Sequence, residues 1–437
     1  METIRILNID SASTVVRTRH FAYSQSIHGL CYQCSLRADC RGEHDVTPLF
    51  ESYHQLADWP AIRDRLRHYL VEEGVYTPKY TFDDGGFYKT VAGRVRDHFL
   101  AKHLLEPRTT TSVLPYVKAD AAWYLWWLVA TVACAIGYWI TFVATSTPPY
   151  ARPVTAFLTG YLYTNIGFIL MHDASHHALF RHQRLNACVS YVWHAIALWN
   201  DRIWRTHHVV RHHGFTGDAR YDPDVVHVRP ILRKRPVRTG CASKTVLYDR
   251  FQFLHPLFYL MVLPGMFVGQ IVSYALFHLR RRMWNMGYPT HTGLCVRWYD
   301  VLFAAPAGYA FAHASWATFL CFLVGLNVCY ANCIIGDHDT IETHANAKDD
   351  ATDWGEVQVR NSGNFLNHSP FEWFTRLHGG INYQIEHHLF PNVCHSHYPA
   401  ISVVVRQTCR AFNHSSDQKI ARFRTHDLRN NFSICEY

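Results

Sequence analysis

The stretch Val154–His177 reads VTAFLTGYLYTNIGFILMHDASHH. As far as Met171 it is apolar and uncharged, and it then runs directly into His172, His176 and His177. An apolar run of this length predicts a membrane-spanning helix, and ionisable groups at a membrane boundary are usually functional. On a helix, His172 and His176 would project from the same face because they lie four positions apart.

Two further histidine clusters follow, THHVVRHH at residues 206–213 and QIEHH at residues 384–388. His208 and His212 form a second pair four positions apart, which again places two imidazoles on one helix face. Neutral imidazole is the commonest nitrogen ligand for iron, zinc and copper. These side chains are too many for one metal ion, so the spacing predicts a site for two. Solvated surface histidines, the alternative, would not explain the adjoining apolar stretch.

The composition of the 437 residues points to a membrane protein with large water-exposed parts. Residues 1–118 are polar and charged, whereas Ala121–Thr145 and Val154–Met171 are nearly free of charge. The net charge of +8 includes the basic run Arg229–Arg238, which fits the cytosolic side of a membrane protein better than nucleic-acid binding. The 13 scattered cysteines predict reduced thiols rather than a disulfide framework.

The order of apolar segments predicts about four crossings. The short, proline-containing linker after Ala121–Thr145 makes the next span return, so the first histidine cluster faces the same side as the N-terminal region, the cytosol. Leu185–Trp199 is more typical of an interfacial helix. Of the later apolar segments, we expect Phe253–His278 to lie in the interface and Val301–Ile335 to form a hairpin that turns near His313–Ser315. The alternative, in which each of these two segments crosses once, also gives four crossings. The predicted fold is mainly α, with a cytosolic helical cap that holds the histidines.

The three clusters, in this order, resemble the histidine boxes of membrane fatty-acid desaturases. GGINYQIEHHLFPNVCHSHYP at residues 379–399 is similar to the signature of the front-end type, with Gln384 where other desaturases carry histidine. WRTHHVVRHHGFTGDARYDPDV at 204–225 fits the second box, including Asp222 and Asp224. Asp353-Trp354 and Gln358-Val359 fit the family pattern upstream of the third box.

The resemblance implies a set of site residues. Its catalytic residues are His172, His176, His208, His212, His213, Gln384, His387 and His388. All seven of those histidines, together with His338 in IIGDHDT, are the expected metal ligands. His177 and His207 are expected to be neighbours of the site, Asp173 and Glu386 to accept a ligand's free N–H, and His395 and His397 to be ordinary polar residues.

The resemblance also implies cofactors, partners and location. We expect two non-haem iron ions, dioxygen, and electrons from NADH or NADPH through a reductase and a separate cytochrome b5. The substrate is expected to be a membrane lipid or an acyl-CoA, and the enzyme to be a multi-pass protein of the endoplasmic reticulum with its active site facing the cytosol. Breaking an unactivated C–H bond needs a redox-active metal, which excludes zinc.

The N-terminal region resembles an eroded cytochrome b5 domain. HDVTPLFESYH at residues 44–54 places His54 at the second haem-ligand position, but the HPGG motif expected upstream is missing. We therefore predict a degenerate, haem-free domain over residues 1–110, a desaturase domain over 115–410 and a tail over 411–437. Zinc binding is an alternative for this region, through Cys31, Cys34, Cys40 and His44.

Several functions remain open from sequence. A front-end acyl desaturase is the leading hypothesis, and a sphingolipid long-chain-base desaturase or a related lipid hydroxylase is the alternative. A non-catalytic membrane scaffold is disfavoured because every expected ligand is present. Regioselectivity, chain length, acyl carrier and oligomeric state are not specified by the motifs.

Overall fold

The computed structural model describes residues 2–4, 14–18, 47–67, 72–73, 79–106, 112–196, 201–218, 221–228, 282–283, 286–287, 305–338, 353–367 and 372–412. These residues are mainly helical, as predicted. The helices are α1 (Thr47–His54), α2 (Trp59–Arg67), α3 (Phe87–Lys102), α4 (Ala121–Tyr138), α5 (Arg152–Ser175), α6 (Gln183–Ile196), α7 (Asp201–Trp204), α8 (Pro223–Val228), α9 (Ala305–His313), α10 (Trp316–His338), α11 (Trp354–Asn361), α12 (Glu372–Leu377), α13 (Gln384–Leu389) and α14 (Tyr398–Ala411).

Short irregular helices and strands complete the described residues. Two π-helices continue α4 and α7, namely Trp139–Val143 and Arg205–His212, and 3₁₀ turns cover Leu114–Tyr116 and His395–His397. The strands are β1 (Glu2–Ile4), β2 (Thr14–Thr18), β3 (Glu72–Glu73), β4 (Arg282–Met283) and β5 (Met286–Gly287). They pair antiparallel in the order β1-β2-β3 and β4-β5, with Glu2 opposite Thr18, Thr14 opposite Glu73 and Arg282 opposite Gly287.

Two of the described helices are long and apolar enough to span a membrane, Ala121–Val143 and Arg152–Ser175. Asp120 starts the first of these, because its side chain accepts a hydrogen bond from the backbone N–H of Trp123 at 2.8 Å. Large apolar side chains such as Leu125 and Val129 remain exposed along α4, at 62% and 60%. A face of this kind would be costly in water and is suited to a lipid environment.

Close contact between α5 and α10 depends on two glycines. A Cβ at Gly160 would overlap the carbonyl oxygen of Phe322, and one at Gly325 would overlap the carbonyl oxygen of Phe157. The small residues therefore let the two backbones approach, as membrane helices often do. This packing brings the C-terminal ends of α5 and α10, and hence His172 and His338, to the same end of the helix pair.

The apolar segment predicted over Val301–Ile335 forms two helices in its described part. α9 ends at His313 and α10 begins at Trp316, with Ser315 capping α10 through its contact with Thr318. The break lies where the sequence predicts a turn. Phe253–His278, the other predicted segment, lies outside the described residues.

A second core lies beyond the membrane-spanning helices and joins distant parts of the chain. Trp354 is fully buried at its centre, with its ring edge-on to Tyr88 and stacked on Phe82. Asp353 begins α11 by accepting from the N–H of Gly355 at 2.8 Å. Its other oxygen accepts from the N–H of Tyr88 at 3.2 Å, so one carboxylate joins α11 to α3.

Residues 47–106 pack into this same core rather than apart from it. Leu56, Phe87 and Val95 are buried in one cluster with Ile385 and Ile401. The division at residue 110 stays a prediction, but the described residues between 47 and 106 share one core with the histidine-bearing part of the chain. Cys31, Cys34, Cys40 and His44, the possible zinc ligands, lie outside the described residues.

Candidate metal centre

Four elements position the predicted site residues close to one another. The last turn of α5 and the π-helix Arg205–His212 face each other there, and the end of α10 and the short helix α13 close the site. The segment 205–212 is a π-helix, not the α-helix that the four-residue spacing assumes. Single π turns are often found at functional sites.

The histidines form two groups. The first, called the four-histidine group, has its potential ligand atoms within 4.8 Å of one another and contains His172, His176, His208 and His387. The Nε2 atoms of His172 and His208 lie 2.9 Å apart. All four side chains are buried, with at most 8% of any of them exposed.

The second, called the three-histidine group, contains His212, His338 and His388. The Nε2 atom of His338 lies 3.1 Å from the Nε2 atoms of both His212 and His388. The side-chain amide of Gln384 completes this group, with its Nε2 3.0 Å from His338 Nε2 and 3.3 Å from His388 Nε2.

In the three-histidine group, the contacts of each Nδ1 atom determine which ring nitrogen carries the proton. The Nδ1 atom of His338 donates to the carbonyl oxygen of Asn361 at 2.8 Å, and that of His388 donates to Gln358 Oε1 at 2.9 Å. The Nδ1 atom of His212 faces Asp222 Oδ1 at 3.1 Å. Since these oxygens accept, the proton sits on Nδ1 and each Nε2 presents a lone pair to the other two.

This arrangement fits metal ions and is unfavourable without them. Lone pairs that face each other at 3.1 Å repel, whereas two nitrogens bound to one metal at about 2.1 Å and a right angle lie about 3.0 Å apart. The Nε2 atoms of His176 and His387 are buried and have no hydrogen-bond partner among the described residues. A bound cation would satisfy them.

The electrostatics agree with this fit. Burial first, and neighbouring imidazoles second, hold the pKa well below the usual histidine value at His176, His208, His213, His387 and His388. These side chains are therefore neutral at physiological pH, which is the form that binds a metal.

Comparison with known proteins agrees with the histidine arrangement. A family model described as fatty acid desaturase matches residues 148–419, more than half of the chain. The chain belongs to the fatty acid desaturase family. The resemblance predicted from the three boxes is confirmed, and the enzyme is an oxidoreductase.

Curated relatives of this desaturase are similar over most of its length. An acyl-lipid (8-3)-desaturase of Physcomitrium patens is 26% identical over 84% of this chain and 77% of its own length. An acyl-lipid (7-3)-desaturase of Diacronema lutheri has the same identity and coverage. An sn-1 linoleoyl-lipid 6-desaturase of Synechocystis is 25% identical over 56% of this chain and 69% of its own length.

His213 lies between the two groups of the desaturase. Its ring centroid is 4.2 Å from that of His388 and 4.5 Å from those of His176 and His387. Both of its ring nitrogens are buried without a hydrogen-bond partner among the described residues. The position suits a ligand, and that role stays a prediction.

The two extra histidines of the boxes lie outside the groups. His177 stands at a positive φ of 58° with its Nε2 3.4 Å from Arg205 Nη1. His207 Nε2 lies 2.7 Å from Asp224 Oδ1. Both placements agree with the prediction that these residues are neighbours.

The two carboxylates predicted to orient ligands have other partners. Asp173 Oδ1 lies 3.2 Å from His395 Nε2, and Glu386 accepts from Asn364 Nδ2 at 2.7 Å. Two other carboxylates lie beside His212, because Asp222 Oδ1 and Asp224 Oδ2 are each 3.1 Å from its Nδ1. Asp222 Oδ2 also accepts from the N–H of Gly217 at 2.7 Å. The places of Asp222 and Asp224 after the second box were visible in the sequence, but their partner was not.

His395 differs from the expectation of an ordinary polar residue. It is buried, and its ring centroid lies 5.2 Å from that of His172 and 5.5 Å from that of His387. His172, Asp173 and His395 therefore form a further compact set of possible ligand atoms. His397 is turned away from the site and lies 2.9 Å from the carbonyl oxygen of Lys118.

His54, at the position that resembles a haem ligand, contacts Phe50, one turn earlier in α1. Its Nδ1 donates to the carbonyl oxygen of Phe50 at 2.7 Å, and its ring stacks on that of Phe50. The neighbouring Tyr53 is the residue that reaches the site, where its hydroxyl oxygen lies 2.5 Å from His176 Nδ1. Sequence reasoning missed Tyr53 because no motif marks it.

Proposed function

We propose that this desaturase introduces a double bond into an acyl chain carried by a membrane lipid, in the manner of the front-end type. The buried convergence of the four-histidine and three-histidine groups is the observation that carries the proposal. The relatives described above are acyl-lipid desaturases by name, which favours a lipid-bound chain over an acyl-CoA. They also give no support to a long-chain base as substrate.

The proposed metal site holds two iron ions. One is assigned to the four-histidine group and the other to the three-histidine group, with His213 between them and Gln384 beside the second. A bound iron pair supplies oxygen activation, the oxidising power needed to remove hydrogen from unactivated methylenes.

The residues around the four-histidine group would shield it from water and border the acyl chain. Phe168 stacks on His172 with ring centroids 5.7 Å apart, and Trp204 stacks on His208 at 4.4 Å. Met171 and Ile381 are buried in the same apolar cluster as Phe168. This cluster lies at the end of α5, where a chain coming from the bilayer would reach the histidines.

The proposal includes electron supply and location. Electrons would come from NADH or NADPH through a reductase and a separate cytochrome b5. We also propose four crossings, a cytosolic cap and residence in the endoplasmic reticulum, on the basis of the apolar segments and the family. The helices Ala121–Val143 and Arg152–Ser175 support the first two crossings.

Lipid analysis of yeast expressing the chain and fed polyunsaturated fatty acids tests the function. We expect new double bonds in glycerolipid acyl chains, together with about two iron atoms per purified chain. A new double bond in long-chain bases, a new hydroxyl group, or purified protein with one zinc and no iron would contradict the proposal. Cells expressing His387→Ala at an equal membrane level serve as the control.

A further inference from the structure

Two tyrosines contact the outer edge of the four-histidine group. The hydroxyl oxygen of Tyr53 lies 2.5 Å from His176 Nδ1, and the two rings are nearly parallel at 12°. The hydroxyl oxygen of Tyr398 lies 3.2 Å from His387 Nδ1. Tyr53 comes from α1 and Tyr398 from the start of α14, so two segments that are far apart in the chain supply the pair.

The contact at Tyr398 has a defined direction. Its hydroxyl donates to the carbonyl oxygen of Phe390 at 3.4 Å, which leaves its oxygen to accept from His387 Nδ1–H. The proton of His387 is then on Nδ1, and its Nε2 carries the lone pair. That Nε2 is the buried atom without a hydrogen-bond partner among the described residues.

The same logic applies to Tyr53. His176 Nε2 is also buried without a hydrogen-bond partner among the described residues. A proton there would leave an N–H with no acceptor, whereas a lone pair there could bind a metal. The proton therefore belongs on Nδ1, where the oxygen of Tyr53 accepts it.

We propose that Tyr53 and Tyr398 are positioning residues that hold His176 and His387 in the Nδ1–H tautomer with Nε2 aimed at one metal ion. The inference rests on the proposed di-iron site and deepens it. The segment that resembles an eroded haem domain thereby completes the oxidising centre, through Tyr53. Two of the four histidines that would hold this metal ion, His176 and His387, are bound to phenols. The histidines that would hold the other ion are bound to Asp222, Gln358 and the Asn361 carbonyl.

The packing around Tyr53 supports a fixed position for its hydroxyl. Tyr53 and Leu49 are buried against Val209, a residue of the π-helix that carries His208. Asn392 Nδ2 donates to the backbone carbonyl oxygen of Tyr53 at 2.8 Å, which joins α1 to the segment after the third box. α1 is therefore attached to two of the histidine-bearing segments.

The test compares the iron affinities of full-length protein in detergent, measured by competition with a chelator. Tyr53→Phe, Tyr398→Phe and the double variant each remove only hydroxyls. We expect one of two iron affinities to fall about 10- to 100-fold in each single variant and further in the double variant. Mössbauer spectra of the iron-loaded protein should change in one of two components.

Two matched variants complete the design. Tyr88→Phe removes a buried hydroxyl that donates to the carbonyl oxygen of Leu389 at 3.2 Å, and both iron affinities should remain. Asp222→Asn combined with Asp224→Asn removes both carboxylates that lie 3.1 Å from His212 Nδ1. This double variant should lower the other affinity and change the other spectral component. Thermal unfolding of each variant in detergent reports any loss of folded protein.

The outcomes separate the inference from the proposed function. Wild-type protein that binds no iron would contradict the di-iron site itself. Wild-type protein with two iron atoms, combined with Tyr53→Phe and Tyr398→Phe variants that keep both affinities and both spectral components, would overturn the inference alone. The inference would also be overturned if Tyr53→Phe and Tyr398→Phe lowered both iron affinities equally and Tyr88→Phe lowered them to the same extent.

Discussion

The four-histidine and three-histidine groups are built from the same boxes but held in different ways. The four-histidine group lies at the end of α5, bordered by aromatic rings and contacted by two phenols. The three-histidine group is held by a carboxylate, an amide and a carbonyl oxygen, and Gln384 joins it. Two metal ions in these positions would therefore differ in ligands and in surroundings.

The comparison also shows how one box serves both groups. His387 and His388 are neighbours in the chain, yet the first belongs to the four-histidine group and the second to the three-histidine group. Successive residues on a helix point about 100° apart, so an HH doublet can serve two centres. His208 and His212 also belong to different groups.

The largest expected effect comes from replacing His387 and His388 one at a time. His387→Ala and His388→Ala should each abolish product formation while leaving the protein in the membrane, because each removes a metal ligand and little apolar packing. Iron per chain should fall from two to about one in both variants, with different spectral components lost. His182→Ala, at an exposed histidine just after the first box, is the control.

The division into two groups would be contradicted by loss of both iron atoms from either variant at unchanged folding. Substantial activity in either variant would remove that residue from the ligand set.

The next effect concerns Gln384, which distinguishes the three-histidine group. Its Oε1 is buried without a hydrogen-bond partner among the described residues, and its Nε2 lies beside His338 and His388. Gln384→Ile should be close to inactive because it leaves neither donor nor acceptor there. Gln384→His should keep part of the activity because imidazole can occupy the same place.

Lipid analysis of cells expressing equal amounts of each Gln384 variant measures both outcomes. If iron-loaded Gln384→Ile retained most of its activity, Gln384 would serve only the structure of α13.

A smaller effect is expected at Gln358, which supports the three-histidine group from outside. Its Oε1 accepts from His388 Nδ1 at 2.9 Å and from Thr216 Oγ1 at 2.8 Å. Gln358→Leu should lower the iron affinity of that group by up to about 10- to 100-fold, since it leaves only Thr216 Oγ1, at 3.1 Å, to accept from His388 Nδ1 among the described residues. Chelator competition measures the change, and an unchanged affinity would show that Thr216 and the surrounding packing are enough to orient His388.

The smallest effect is expected at His54, outside both groups. Full-length purified protein should show no b-type haem spectrum, because the HPGG motif expected upstream of His54 is missing. His54→Ala should keep its iron content, because His54 belongs to neither histidine group. Absorption spectroscopy is the measurement. A haem spectrum that disappears in His54→Ala would contradict the prediction that the N-terminal region is haem-free.

The sequence by itself determined the family, the two helical spans predicted over Ala121–Thr145 and Val154–Met171, and the histidines that meet. These properties follow from local pattern, because apolar length and residue spacing act within one segment.

Only the tertiary structure decided how those histidines divide into two groups and which residues hold them. Tyr53 and His176 are 123 positions apart, and Gln358 and His388 are 30 apart. His395, which the sequence left as an ordinary polar residue, is buried beside Asp173. Such contacts depend on how separate helices pack against each other, and the spacing within any one segment carries no information about that packing.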